Sequence, residues 1–173
     1  MLATPPVTSG ARTLARLELA RVILRFDAVD VVNLLDVRTR DVNEIAAVGR
    51  TEAPWLRSRS AIVAQLSMCD ATLLGYGLAL PSGPARKYFR QQVLWLIARL
   101  DETSTPVFTV GDRPRHPSRW QRWTSRVHPD LSFEQALSQE LRPVRLEPQS
   151  LPVQHVKPSV SQRATQPVLL PDP

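Results

Sequence analysis

The chain has 173 residues, within the ~100 to 200 typical of one domain, so one core with appendages is expected rather than two enzyme lobes. Lysine and arginine total 22 against 16 aspartate and glutamate, a net charge of +6, and nearly all the cations are arginine. That balance admits an anionic partner such as nucleic acid or nucleotide. The lone cysteine, Cys69, excludes an intramolecular disulfide framework and any multi-cysteine zinc or iron–sulfur site.

No uncharged apolar run approaches the ~18 residues needed to span a bilayer. Residues 1–10 lack the basic and then apolar pattern of a secretion signal. The expectation is therefore a soluble, cytoplasmic protein with no membrane partner.

Residues 11–26 place Ala15, Leu19, Val22, Ile23 and Phe26 on one helical face and Glu18, Arg21 and Arg25 on the other, which predicts an amphipathic helix. Residues 29–35, short and rich in β-branched side chains, read as a strand. A polar turn at 36–40 and a short helical or irregular piece follow. Pro54 then opens a helix to about Cys69 with Trp55, Ile62, Val63 and Leu66 on its apolar side.

Residues 71–76 read as a second buried strand. Ser82, Gly83 and Pro84 form a helix start, with a small capping residue and proline in the first turn. The helix that follows carries Ala85, Phe89, Val93, Leu96, Ile97 and Leu100 as a continuous stripe. Residues 106–110 read as a third strand, 111–120 as an Arg- and Pro-rich loop, and 132–140 as a last helix.

Strands separated by helix-length crossovers imply parallel pairing. The expected fold is thus α/β, a small three-layer αβα sandwich with a short, mainly parallel sheet over residues 1–141. Seven of the 16 prolines fall within residues 142–173, which contain no glycine or aromatic residue, so that stretch is expected to be an extended or disordered tail. Its small apolar groups, 151–153 and 168–170, could dock on a protein partner.

In such a fold the segments just after each strand, 33–40, 76–87 and 111–123, should converge at one sheet edge. In the last of these, Arg113, Arg115, Arg119 and Arg122 interleave with Trp120, Trp123 and His116. Arginine forks hold phosphates, and Trp120 or Trp123 can stack on a base. His116 titrates near neutrality and suits proton transfer or orientation of a leaving group. The competing role is structural: both tryptophans seal the core edge and His116 caps the loop.

The middle segment offers Tyr76 as a stacking surface, with Arg86 and Lys87 in the first turn of a helix whose N-terminus attracts anions. Its glycines match neither dinucleotide nor P-loop spacing, and their competing role is turn geometry. Asn33 lies inside an apolar run, where its amide either bonds a neighbouring loop or faces a ligand. His116, His128 and His155 lie apart with no paired carboxylate spacing, so no metal site is expected, and no motif implies a cofactor.

Val31-Val32-Asn33-Leu34-Leu35, followed by Arg38-Thr39-Arg40-Asp41, then Tyr76-Gly77 and Pro114-Arg115-His116-Pro117, resemble in order and spacing an uncharacterised bacterial and phage family, the domain-of-unknown-function family numbered sixteen forty-three. The resemblance covers about residues 2–120 and implies fold and site position but no reaction. This chain departs at its opening, where Ala3 or Thr4 replaces the family's asparagine.

A more distant resemblance is to the uracil-DNA glycosylase superfamily, carried by His116-Pro117-Ser118. It implies a histidine that stabilises charge on a departing base while Arg119 and Trp120 enter the duplex. The water-activating residue of that superfamily has no match in residues 2–8.

Two functions follow as expectations. One is a nucleotide- or nucleic-acid-binding α/β protein, a degenerate base-processing enzyme of glycosylase-like type, in which His116 and Asn33 do chemistry. The other is a non-catalytic accessory or structural protein of phage origin that docks partners through residues 142–173.

Overall fold

The computed structural model describes residues 10–39 and 41–145. Among the described residues there are six α-helices and one small sheet. The helices are α1 (Gly10–Leu24), α2 (Val42–Val48), α3 (Ala53–Leu66), α4 (Ala85–Asp101), α5 (Trp120–Val127) and α6 (Phe133–Glu140). The sheet consists of β1 (Thr72–Leu73), β2 (Val107–Val110) and β3 (Leu141–Pro143), in that order. The β1–β2 pair is parallel, with Thr72 opposite Val107, and the β2–β3 pair is antiparallel, with Val110 opposite Leu141. The fold is thus a mixed helix–sheet structure. Among the described residues, no helix is long and apolar enough to cross a membrane.

The predicted stripe of α4 is all buried, from Ala85 through Leu100, because only one face of that helix is continuously apolar. Its start differs in detail: Gly83 takes φ +60°, Pro84 occupies the cap position, and no side chain caps the helix.

Helix α1 exists as expected, but it buries Thr13, Leu17 and Ala20 and leaves Val22 outside. The reason is its contact with the 3₁₀ turn at Pro117–Arg119 and with α6, where small side chains permit close approach. It ends at Arg25, φ +61°, where Arg25 N–H donates to Val22 O and Phe26 N–H to Arg21 O, the two bonds of a Schellman termination. In α3, Trp55 and Ile62 are buried as expected, whereas Val63 faces outward.

The predicted strand at 29–35 is not a strand; only Val32 makes a single bridge. Its backbone groups are satisfied elsewhere: Leu34 O accepts from Ser58 Oγ at 2.8 Å, and Asp36 N–H donates to Pro54 O at 3.0 Å. The β-branched residues serve packing instead. Val29 and Val31 lie against one hydrophobic cluster, and Val32, Leu34 and Leu35 belong to the other.

The third strand is β3, at the start of the proline-rich stretch and across the boundary expected between Leu141 and Arg142. Pro143 cannot donate to a ladder, which suits an outer strand. The remainder of the expected tail, 146–173, lies outside the described residues.

Two hydrophobic clusters divide the interior. One packs Leu34, Leu35, Trp55 and Ile62 with the inner face of α4; the other gathers Leu17, Ala20, Val110, Trp120, Leu137 and Leu141. A polar network crosses the first. Fully buried Gln92 donates to Ser58 Oγ at 3.0 Å and accepts from Arg59 Nε at 2.9 Å, so α3, α4 and the Leu34 segment are held in fixed relation.

Candidate functional site

The loop from Gly111 to Ser118 is built by its own hydrogen bonds. Gly111 takes φ +70°, and a Cβ there would lie 2.5 Å from the Trp123 ring, so no other residue fits without displacement. Arg115 donates to Val110 O at 2.9 Å and to Asp112 Oδ1 at 3.0 Å, and its guanidinium stacks 4.0 Å from the centre of the Trp123 ring. Burial alone would raise the Asp112 carboxyl; the Arg115 hydrogen bond and the charges of Arg115 and Arg113 override it and hold the group below its usual value.

Trp120 is fully buried and donates Nε1–H to Arg115 O at 2.7 Å. The expected stacking role of Trp120 is therefore corrected: its indole is core and offers no face to a base. Helix α1 braces the same loop, since Arg16 donates to Pro117 O at 2.8 Å and to Gln121 Oε1 at 2.9 Å.

Beside this loop opens a pocket of about 700 Å³ lined by parts of all three expected segments: Leu34, Leu35 and Thr39; Tyr76, Gly77 and Pro81; and Arg115, His116, Arg119, Arg122 and Trp123. Trp55, Phe89, Val42 and Ile45 complete an apolar floor. The floor aromatics interlock edge to face, with Phe89 6.0 Å from Trp55 and 6.1 Å from Tyr76 between ring centres. Burial pushes the Tyr76 phenol up to about 12, so it stays neutral and keeps its hydroxyl proton. The two loops meet where Gly77 N–H donates to Pro114 O at 2.7 Å; Gly77 takes φ +90°, and its Cβ position lies 3.4 Å from His116 Cβ.

His116 has a preferred tautomer. Its Nδ1 accepts the backbone N–H of Ser118 at 3.2 Å and lies 2.8 Å from Ser118 Oγ, whose hydroxyl can turn to donate to it, so the arrangement favours the neutral-ring proton on Nε2. Burial, reinforced by the nearby charges of Arg119 and Arg16, depresses its pKa. At neutral pH the imidazole is therefore an uncharged donor through Nε2–H.

From the N-cap of α5, Arg119, the arginines recur at helical spacing along that helix. Arg119, Arg122 and Arg126 all line the pocket, all are exposed, and among the described residues their side chains make no hydrogen bond or ion pair. Trp120 and Thr124 form the opposite, buried face. Asp41 stands on another wall as the N-cap of α2, where its Oδ1 accepts from Asn43 N–H at 2.7 Å and Glu44 N–H at 3.0 Å.

Other expected site residues lie elsewhere. Arg86 donates Nε–H to Pro81 O at 3.2 Å, Lys87 Nζ sits 5.6 Å from the Tyr88 ring centre, and Arg113 pairs with Asp112 at 3.4 Å; none of the three lines the pocket. Asn33 is also outside the lining, and its Oδ1 is buried without a partner among the described residues. Trp123, the alternative stacking residue, does line the pocket, whereas Arg126 and Asp41 were not expected there. The repeat from Arg119 to Arg122 to Arg126 is the signal that marks Arg126. Among the described residues, no group of three or more His, Cys, Asp or Glu side chains could hold a metal ion.

No family model, curated protein or solved structure matches this chain.

Proposed function

We propose that the pocket binds a nucleotide or a nucleic-acid strand, with phosphates on the α5 arginines and a base over the apolar floor. The observation that carries this reading is the row of Arg119, Arg122 and Arg126, exposed and unpaired among the described residues, along one wall of an apolar, aromatic-floored pocket. Arg115, on the same pocket, is by contrast engaged with Val110 O and Asp112. A row of free guanidinium groups suits an extended polyanion, and the floor requires an unstacked base rather than a closed duplex. The reading treats the small sheet as the middle of a three-layer αβα arrangement and places the protein in the cytoplasm.

Base-directed chemistry of the glycosylase-like kind rests on His116 alone. Its neutral Nε2–H would donate to an oxygen on which negative charge develops as a base departs. Asn33 is not a second catalytic group in this pocket, so binding is the primary activity proposed.

The test is fluorescence anisotropy with a labelled single-stranded oligonucleotide over a salt series. Log affinity should fall linearly with log salt, and Arg119→Ala or Arg122→Ala should each flatten the slope by about 0.7. His116→Gln should leave that slope unchanged. Salt-independent binding, or slopes identical to wild type in both arginine variants, would remove α5 from the site.

A further inference from the structure

Resting on that nucleotide-binding reading, we infer that the pocket prefers a base carrying an exocyclic amine, cytosine or adenine, to uracil or thymine. The feature that points to this is Asp41. Both backbone N–H groups that it caps go to Oδ1, and Oδ2 has no hydrogen bond or ion pair among the described residues, although the residue lines the pocket. A capping carboxylate with a free acceptor thus lines the same pocket as Arg119, Arg122 and Arg126.

Of the pocket's polar groups, the hydroxyls of Thr39, Tyr76 and Ser118 can donate or accept and so do not discriminate between base edges, whereas Asp41 and His116 each have a fixed sense. Asp41 Oδ2 can only accept, and the neutral His116 ring donates through Nε2–H. A cytosine or adenine edge supplies the complement: an amine that projects beyond the ring and, beside it, a ring nitrogen that accepts. Uracil and thymine offer one N–H set between two carbonyl oxygens. Their lone pairs face a carboxylate that approaches that N–H, and a carbonyl stands where the amine would be. One charge-assisted hydrogen bond kept or lost corresponds to about tenfold in affinity.

The same residue gives a test that leaves the fold intact. Asn is as good a helix N-cap as Asp, so Asp41→Asn keeps the cap on α2. Its free end becomes an N–H donor, which pairs with a carbonyl and not with an amine. The experiment compares equal-length oligo(dC) and oligo(dU), which differ only on the base edge, at one salt concentration. Circular dichroism of the variant confirms that it is folded.

The wild-type chain is expected to bind oligo(dC) about tenfold more tightly than oligo(dU), and Asp41→Asn to lose or invert that ratio. Equal affinities, tighter binding of oligo(dU), or a ratio unchanged by Asp41→Asn would each overturn the inference, with phosphate binding on α5 untouched. Failure to bind either strand at low salt would overturn both this inference and the reading on which it rests.

Discussion

The loop that ends at His116 and the helix that follows it are both rich in arginine, yet they use it oppositely. In the loop, Arg115 has a side chain only 12 % exposed, donates to Val110 O and Asp112, and lies flat on Trp123. On α5, Arg119, Arg122 and Arg126 are exposed and have no partner among the described residues. Trp120 is sealed in the core, while Trp123 reaches the pocket. Composition therefore does not separate the arginines that hold the loop from those that face the pocket with free donors; what does is the hydrogen bonding of each guanidinium together with its place on the pocket wall.

That contrast breaks most sharply at Arg115. Arg115→Ala removes the bonds that close the loop and strips the stacked cation from Trp123, for an expected cost of about 2 kcal/mol. Urea unfolding should show the loss directly. A variant as stable as wild type would put Arg115 with the free arginines and dissolve the distinction.

The legible parts of the fold are those where one physical demand dominates. The stripe of α4 has a single way to be buried, and the strands at β1 and β2 are short apolar runs between helices. The segment 29–35 looked equally apolar, but its valines and leucines are divided between two hydrophobic clusters and its carbonyl at Leu34 is taken by Ser58. Hydrophobic pattern reports burial and not the hydrogen-bond partner, so this run could not be told from a strand.

Helix α1 illustrates the converse, since its inner face of Thr13, Leu17 and Ala20 has little apolar contrast with its outer one. β3 was hidden by its proline, and α5 by the loop-like composition that precedes it. Convergence of the three segments at one pocket followed from strand order, which survives the loss of the first strand because Leu34 and Leu35 still end beside Tyr76. Asp41 was out of reach: it reads as a solvated turn residue until α2 is seen to start there.

His116 joins the two regions, and its pH response sharpens the comparison at lower cost. Its folded-state pKa is depressed below the usual 6.5 by burial, then by Arg119 and Arg16. In the unfolded chain the ring therefore protonates first as pH falls. Its contribution to stability is complete above about pH 6.5 and is lost as pH drops through the depressed folded value. The wild-type melting temperature should fall more steeply below that point than that of His116→Gln, by an amount smaller than the Arg115 effect. Parallel profiles would mean that the ring is as easily charged in the pocket as in solution.

The smallest expected effect on stability is also the most discriminating. Arg126 is the arginine farthest along α5 from the loop, exposed and without a partner among the described residues, so Arg126→Ala should change unfolding free energy by no more than about 0.5 kcal/mol. It should still flatten the salt dependence of strand binding by about 0.7, as each of its neighbours does. If the slope changes for Arg119 and Arg122 but not for Arg126, the ligand ends before the last turn of α5, and the pocket holds a single nucleotide rather than a passing strand. If all three contribute equally, the anion runs the length of the helix, and the free guanidinium groups act as a track behind which Arg115 closes the preceding loop.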